Sequence, residues 1–199
     1  MKELLLASGN QGKVNELQEM LAPLGFNVVP QKQYNVGDVP ETGTTFVENA
    51  IIKARHAAEM TGLPCIADDS GLEVAALNGK PGIYSARFAG PGATDGTNID
   101  KLLSKLDGVP MEQRQARFVT VLVFMRHAND PCPVICEGYW DGVITTERHG
   151  DNGFGYDPVF FQPDLNKTAA QLSPDEKHAR SHRGQALRAL LEKFKQLGI

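Results

Sequence analysis

The chain opens with apolar residues 4–7, then the polar glycine turn Ser8-Gly9-Asn10-Gln11-Gly12, then Val14, Leu17, Leu21 and Leu24 at helical spacing up to Gly25. That order predicts a strand, a glycine loop and a helix. Residues 27–29 read as a second strand, whereas 31–44 has no period and several breakers, and a loop of that length is usually functional. Thr45 and Glu48 form a capping-box pair ahead of a helix whose apolar face is Val47, Ala50, Ile51, Ala54, Ala57 and Ala58, with Gly62 past its end. Helical periodicity puts Asn49, Lys53 and His56 together on the opposite face. A short buried strand over 64–67 runs into Asp68-Asp69-Ser70-Gly71, so two carboxylates are expected at its carboxyl end.

Residues 78–98, rich in glycine and proline, read as loop before a helix carrying Ile99, Leu102, Leu103 and Leu106. Two long strands are expected over 117–125 and 134–140, joined by a hairpin-like link at 128–133, and the first is apolar enough to be central in a sheet. A further strand around 143–145 precedes a glycine-rich loop marked by Gly150, Gly153 and Gly155 around Phe154. Ser173, Pro174 and Glu176 start a helix as cap, first-turn proline and third-position glutamate, and Ser181-His182-Arg183 breaks it from a closing helix with Leu187, Leu190, Leu191 and Phe194. The pattern is mixed α/β, a central sheet flanked by helices, within a single domain over residues 1–199.

Composition narrows the class. At 199 residues and 41% apolar content the chain suits one globular domain, or at most two lobes around a cleft. Its longest apolar stretch, residues 118–125, is far short of the roughly 20 residues of a spanning helix, and the N-terminus lacks the apolar run of a secretory signal. A cytoplasmic protein with no membrane partner is expected. Twenty Lys and Arg against 24 Asp and Glu, a net charge of -4, argue against holding nucleic acid through its phosphates but leave room for a small anion in a lysine-lined cleft. Cys65, Cys132 and Cys136 are odd in number and unevenly spaced, which suits reduced buried thiols, and His127 with Cys132 and Cys136 lacks a fourth zinc ligand.

The loops hold the unusual chemistry. A glycine turn from strand into helix offers backbone N–H groups and the positive end of the helix dipole to an anion, with Lys13 adding a charge, although the spacing is too short for a Walker A loop. Such a turn also serves simply to join strand to helix. Adjacent Asp68 and Asp69 cannot both be buried as anions without a cation or a proton, a conflict that a hard divalent metal resolves; the alternative is a solvated Asp-Asp-Ser-Gly turn. Glu41 in the long loop completes a carboxylate set or is an ordinary surface glutamate. Lys53 is a solvated lysine unless its helix face borders Lys13. Phe154, between glycines, offers a stacking face to a flat ligand, and Asp157 an acceptor for a base edge; a plain sheet corner would look similar. Lys177, His182 and Arg183 read as polar surface, although His182 and Arg183 side by side in the Ser-His-Arg-Gly break between helices are less ordinary. No Gly-x-Ser-x-Gly elbow is present, and Cys65 sits in an apolar strand, so nucleophilic catalysis has little support.

Six blocks together resemble one family. Ser8-Gly9-Asn10-Gln11-Gly12-Lys13, Glu41-Thr42-Gly43-Thr44-Thr45-Phe46-Val47-Glu48-Asn49-Ala50, Asp68-Asp69-Ser70-Gly71-Leu72, Pro81-Gly82-Ile83-Tyr84-Ser85-Ala86-Arg87, Gly153-Phe154-Gly155-Tyr156-Asp157-Pro158 and Ser181-His182-Arg183-Gly184 are similar, in order, to the signatures of the inosine triphosphate pyrophosphatases of bacteria. The segment Asp95-Gly96-Thr97-Asn98 falls outside them. The resemblance implies an elongated α/β sheet with two lobes around a substrate cleft, a homodimer, and Mg2+-dependent hydrolysis of dITP, ITP and XTP to the monophosphate and pyrophosphate. It implies Asp69 as proton acceptor and metal neighbour, Glu41 as metal ligand and Asp68 as a supporting carboxylate. Ser8, Gly9, Asn10, Gln11, Gly12, Lys13, Lys53, Ser70 and Lys177 would hold the triphosphate, and Phe154, Gly155, Tyr156, Asp157, His182 and Arg183 the base. Two other readings fit the residues: a nucleotide-binding module without turnover, and a magnesium-dependent phosphatase that removes terminal phosphate.

Overall fold

The computed structural model describes residues 2–198, which form two compact units. One comprises the described residues up to Asp69, Thr120–Glu137 and those from Ala186 on; the other is Ser70–Val119 with Gly138–Gln185. A seven-stranded mixed sheet runs in the order β2-β1-β3-β4-β5-β6-β7, which bears out the α/β expectation and puts β4 (Gln115–Met125) fourth of seven.

In the first unit β1 (Lys2–Leu6) pairs in parallel with β2 (Phe26–Pro30) and with the start of β3 (Cys65–Val74), in the register Leu4↔Val28 and Leu6↔Ile66. The connection between β1 and β2 is α1 (Gln11–Leu21), whose Val14, Leu17 and Leu21 bury against Leu4, Leu6, Val28 and Ile66. Leu24, expected on this helix, lies in a short 3-10 turn, Ala22–Leu24, ended by left-handed Gly25. On α2 (Phe46–Thr61) the small side chains of Ala50, Ala54 and Ala57 let the helix lie close over Leu5, Ala67, Val121 and Val123. Cys65 and Cys136 are buried as expected, but Cys132 is exposed in the link between β4 and β5 (Val134–Ile144), because that turn points its polar side to water.

The second unit packs Leu72, Val74, Ile99, Leu102, Leu106, Phe118, Trp140, Phe160 and Leu172 into one core. Its α3 (Asp95–Lys105) begins at Asp95 rather than near Ile99, because Thr94 and Thr97 cap each other's backbone N–H groups with threonine in the place usually taken by glutamate or glutamine. The separate strand expected around 143–145 is the end of β5. Within it a Cβ on Gly142 would stand 2.7 Å from Phe160 Cζ and 2.8 Å from Phe161 O, so glycine admits β6 (Phe160–Gln162) against β5. The expected loop 78–98 contains a 3-10 helix, Gly82–Arg87. Beyond β7 (Lys167–Thr168), α4 (Pro174–Arg180) takes the predicted cap from Ser173, and α5 (His182–Leu197) follows directly after Ser181. Among the described residues no helix is long and apolar enough to cross a membrane.

Candidate active site

Parallel neighbours present their carboxyl ends on the same side, the position at which open α/β sheets take ligands. Ala7 N donates to Ile66 O at 2.8 Å, which carries the pairing of β1 and β3 to the edge of the glycine loop. The loop is shaped by its own side chains: Ser8 Oγ accepts from Asn10 N and Asn10 Oδ1 from Lys13 N, each at 3.2 Å. Gly9, Asn10 and Gln11 remain exposed at the helix N-terminus.

The solvated turn at Asp68 and Asp69 does not exist, and neither does the expected strand end. Buried Leu72 and Val74 draw β3 onward to Val74, so both aspartates are interior strand residues, 0% and 6% exposed. Lys13 Nζ lies 3.1 Å from Asp68 Oδ1. Lys53 Nζ lies 2.8 Å from Asp69 Oδ1 and 3.0 Å from Glu41 Oε1, and its side chain is only 15% exposed, which overturns its reading as a solvated lysine. Burial raises the Asp69 carboxyl above its ordinary pKa, although Lys53 and Lys13 pull it back. Burial works against the Lys53 charge, but Asp69, Asp68 and Glu41 outweigh it and hold its pKa above the ordinary value. The second oxygen of Asp69, Oδ2, is buried and has no hydrogen-bond partner among the described residues.

Glu41 is fixed indirectly. Asn49 is not on a solvent face: it is wholly buried, and its Oδ1 accepts from Gly43 N at 2.8 Å. A Cβ on Gly43 would stand 2.5 Å from Glu48 Cβ, so only glycine lets the loop lie this close to α2. Glu48 Oε2 then accepts from Thr44 N and Thr45 N at 2.8 and 3.0 Å, stapling the segment after Glu41 to the helix start.

In the second unit the half-buried Phe154 ring has Lys177 Nζ at 4.9 Å and the Arg183 guanidinium at 5.5 Å from its centroid. Arg183 Nη2 donates to Ser70 Oγ at 3.2 Å. His182 stacks on Phe118, ring centroids 4.8 Å apart and 11° from parallel. Asp157 Oδ2 accepts from Phe154 N at 2.9 Å and from Lys177 Nζ at 2.7 Å. Tyr156 is buried, and its hydroxyl donates to Ser85 O at 2.7 Å.

A family model described as Ham1 family matches residues 4–193. The chain belongs to the Ham1 family. A relative named dITP/XTP pyrophosphatase from Vibrio vulnificus strain YJ016 is 59% identical to this Ham1 chain over 98% of each, and one of the same name from Pectobacterium atrosepticum is 59% identical over 96% of this chain and 98% of its own. Among solved structures, a HAM1 protein from Coxiella burnetii has a TM-score of 0.89 at 52% identity, covering 98% of this chain and all of its own. The Staphylococcus aureus Ham1 protein has a TM-score of 0.84 at 44% identity over the whole of both chains. The pyrophosphatase resemblance read from the six blocks is thereby borne out.

Within the first unit of the Ham1 chain the structure gathers Lys13, Lys53, Glu41, Asp68 and Asp69; within the second it gathers Ser70, Phe154, Asp157, Lys177 and Arg183, with His182 beside Arg183 on α5. Tyr156 and Asp157 brace the loop from inside. Among the described residues no three His, Cys, Asp or Glu side chains converge as a ready-made metal cage, since lysine ammonium groups stand against the carboxylates. Sequence reasoning missed the supports: Asn49, Ser85, Asp95 and Asn98. Asn49 and Ser85 lay in two of the six blocks, but Asn49 was placed on the polar face of its helix and nothing in the sequence marked the partner of Ser85.

Proposed function

We propose that the chain hydrolyses the α–β phosphoanhydride of the deaminated purine nucleoside triphosphates dITP, ITP and XTP to a nucleoside monophosphate and pyrophosphate. The observation that carries this reading is the buried Asp69 carboxylate, one oxygen held by Lys53 and the other without a hydrogen-bond partner among the described residues. Relatives about 59% identical over nearly the whole chain and named dITP/XTP pyrophosphatase support it. Ser8, Gly9, Asn10, Gln11, Gly12, Lys13, Lys53, Ser70 and Lys177 then serve the triphosphate, and Phe154, Gly155, Tyr156, Asp157, His182 and Arg183 serve the base, Tyr156 and Asp157 by holding the loop.

Asp69 takes a proton from water as the water oxygen bonds to phosphorus, the bridging P–O bond breaks, and its electron pair leaves on pyrophosphate. A carboxylate whose proton affinity burial has raised is a better acceptor than a solvated one. Lys13 and Lys53 stabilise the phosphate oxygens as charge shifts among them. The oxygen-only donors of Glu41, Asp69 and Asp68, with the buried Asp69 Oδ2, suit Mg2+, which takes one or two carboxylates and fills its shell with water and substrate phosphate. Bound there with the nucleotide, the ion would offset phosphate charge and polarise the P–O bonds. His182 and Arg183 supply donors for the 6-oxo group of hypoxanthine or xanthine, whereas adenine would set an amino group against them. The chain acts as a single catalytic domain over residues 1–199, a cytoplasmic homodimer that binds no nucleic acid and clears deaminated purines from the nucleotide pool.

The test is product identification with ITP, XTP, GTP and ATP, with and without magnesium, beside Asp69→Asn. Magnesium-dependent pyrophosphate release that favours ITP and XTP and vanishes in D69N is expected. Inorganic phosphate as the first product would make the protein a phosphatase, and tight binding without product would leave a nucleotide-binding module.

A further inference from the structure

Phe154 is held by its neighbours in the loop, each tied to a different element. Asp157 is tied to α4 through Lys177, and Tyr156 to the 3-10 helix Gly82–Arg87 through Ser85 O. Ser85 is itself anchored, its Oγ accepting from Leu72 N at 2.8 Å and donating to Gly82 O at 2.6 Å. Gly155 has no side chain to anchor. Its backbone N–H donates instead to Asp95 Oδ2 at 2.7 Å, a short carboxylate bond across 60 positions of sequence. Gly153 and Gly155 both have left-handed φ, +77° and +62°, conformations in which the loop has little intrinsic preference for one path.

Asp95 is in turn well placed to hold something. It opens α3 just after the Thr94 cap, and one turn later Asn98 joins Ala86 O and Ala89 N at 3.1 and 2.7 Å. Arg148 Nη2, from the segment leading into the glycine loop, donates to Gly96 O at 2.9 Å and to Asp100 Oδ1 at 2.8 Å. The start of α3 thus grips the approach to the glycine loop and, through Asp95, the loop itself. Asp95 is exposed, so its order does not come from core packing.

We propose that Asp95 is a positioning residue for purine recognition: by holding the Gly155 N–H it sets the Phe154 ring, flanked by Lys177 and Arg183, for the base. The inference rests on the base-binding role given above to Phe154. Because the Phe154 ring offers its face to a base and not to phosphate, a change at Asp95 should be felt by a nucleotide and not by a ligand that has no base.

The experiment compares wild type, Asp95→Ala and Asp95→Asn in ITP turnover, in ITP affinity with turnover stopped by omitting magnesium, and in competition by inorganic triphosphate, which has no base. For D95A an approximately tenfold weaker ITP affinity and raised KM are expected, the loss of one charged hydrogen bond, with kcat within about threefold and inorganic triphosphate binding unchanged. D95N keeps an acceptor oxygen and should recover most of the ITP affinity. Unchanged ITP affinity in D95A, or equal losses for ITP and inorganic triphosphate, would overturn the proposal. If D95A does not fold, amide hydrogen exchange on the wild type decides: a Gly155 amide as fast as an unbonded one overturns the proposal, and a protected one upholds it. A wild type that binds ITP without releasing pyrophosphate would sink the proposed function while leaving the Asp95 effect readable in the dissociation constants.

Discussion

One ammonium group, Lys53 Nζ, serves two carboxylates, Glu41 at 3.0 Å and Asp69 at 2.8 Å, with Asp68 buried beside Asp69 and paired to Lys13. Among the described residues the Lys13 and Lys53 ammonium groups thus stand against the carboxylates of Asp68, Asp69 and Glu41. Lys53→Met should take from Glu41 and Asp69 the ammonium group they share. We expect a loss of about 2 kcal/mol in urea unfolding and a fall in turnover of at least about 100-fold. Asp69→Asn should act oppositely on stability. Because burial holds the Asp69 pKa above its ordinary value, the folded protein disfavours the charged form, and the neutral isostere should melt higher in metal-free buffer while turnover disappears. A lower melting temperature for D69N would mean that the ion pair with Lys53 outweighs the burial.

At the scale of elements, the turn between β4 and β5 is built on a single buried side chain. Asp130 Oδ2 accepts from Arg126 N at 3.0 Å and Arg126 Nε at 2.8 Å, while Oδ1 accepts from Cys132 N at 3.0 Å. These bonds, the Arg126 side chain foremost, hold the Asp130 carboxyl well below the usual range. A pKa depressed by folding stabilises the protein above the unfolded value and is lost as pH falls toward the folded one. Asp130→Asn should therefore cost about 1–2 kcal/mol at neutral pH, and the gap from wild type should close as denaturation is repeated from about pH 5 down to about pH 2. A gap independent of pH would assign the cost to the backbone bonds alone. The hairpin itself was legible from its apolar strands and polar link, as were α1 and α2 from their spacing and caps. What misled the reading were residues whose role is set by a partner far along the chain. Residues 143–145 read as a separate strand because nothing local reveals that Gly142 makes room for β6 within a continuous β5, and the start of α3 was set late because threonine rarely takes the third position of a capping box.

Across the whole molecule, the residues proposed to meet the nucleotide were readable, since Lys13, Asp68, Asp69, Phe154 and Arg183 each stand in one of the six sequence blocks. Their supports were not, since Asp95 meets Gly155 across 60 positions and Ser85 meets Tyr156 across 71, and single-sequence periodicity has no reach at that range. Net charge posed the related problem of scale, because -4 overall predicts repulsion of a nucleoside triphosphate. The local field decides instead if Lys13 and Lys53 face the phosphates, for their attraction acts over a few ångströms where the distributed acidic charge is largely screened. Salt then gives a direct test. Raising ionic strength from about 0.05 to about 0.5 M at fixed free magnesium shortens the screening length from above 10 Å to below 5 Å. The KM for ITP should rise several-fold with kcat nearly constant, and inhibition by inorganic triphosphate should weaken in parallel. If the acidic exterior governed the encounter, the same salt would lower KM by relieving repulsion, so the sign of the change distinguishes local attraction from global charge.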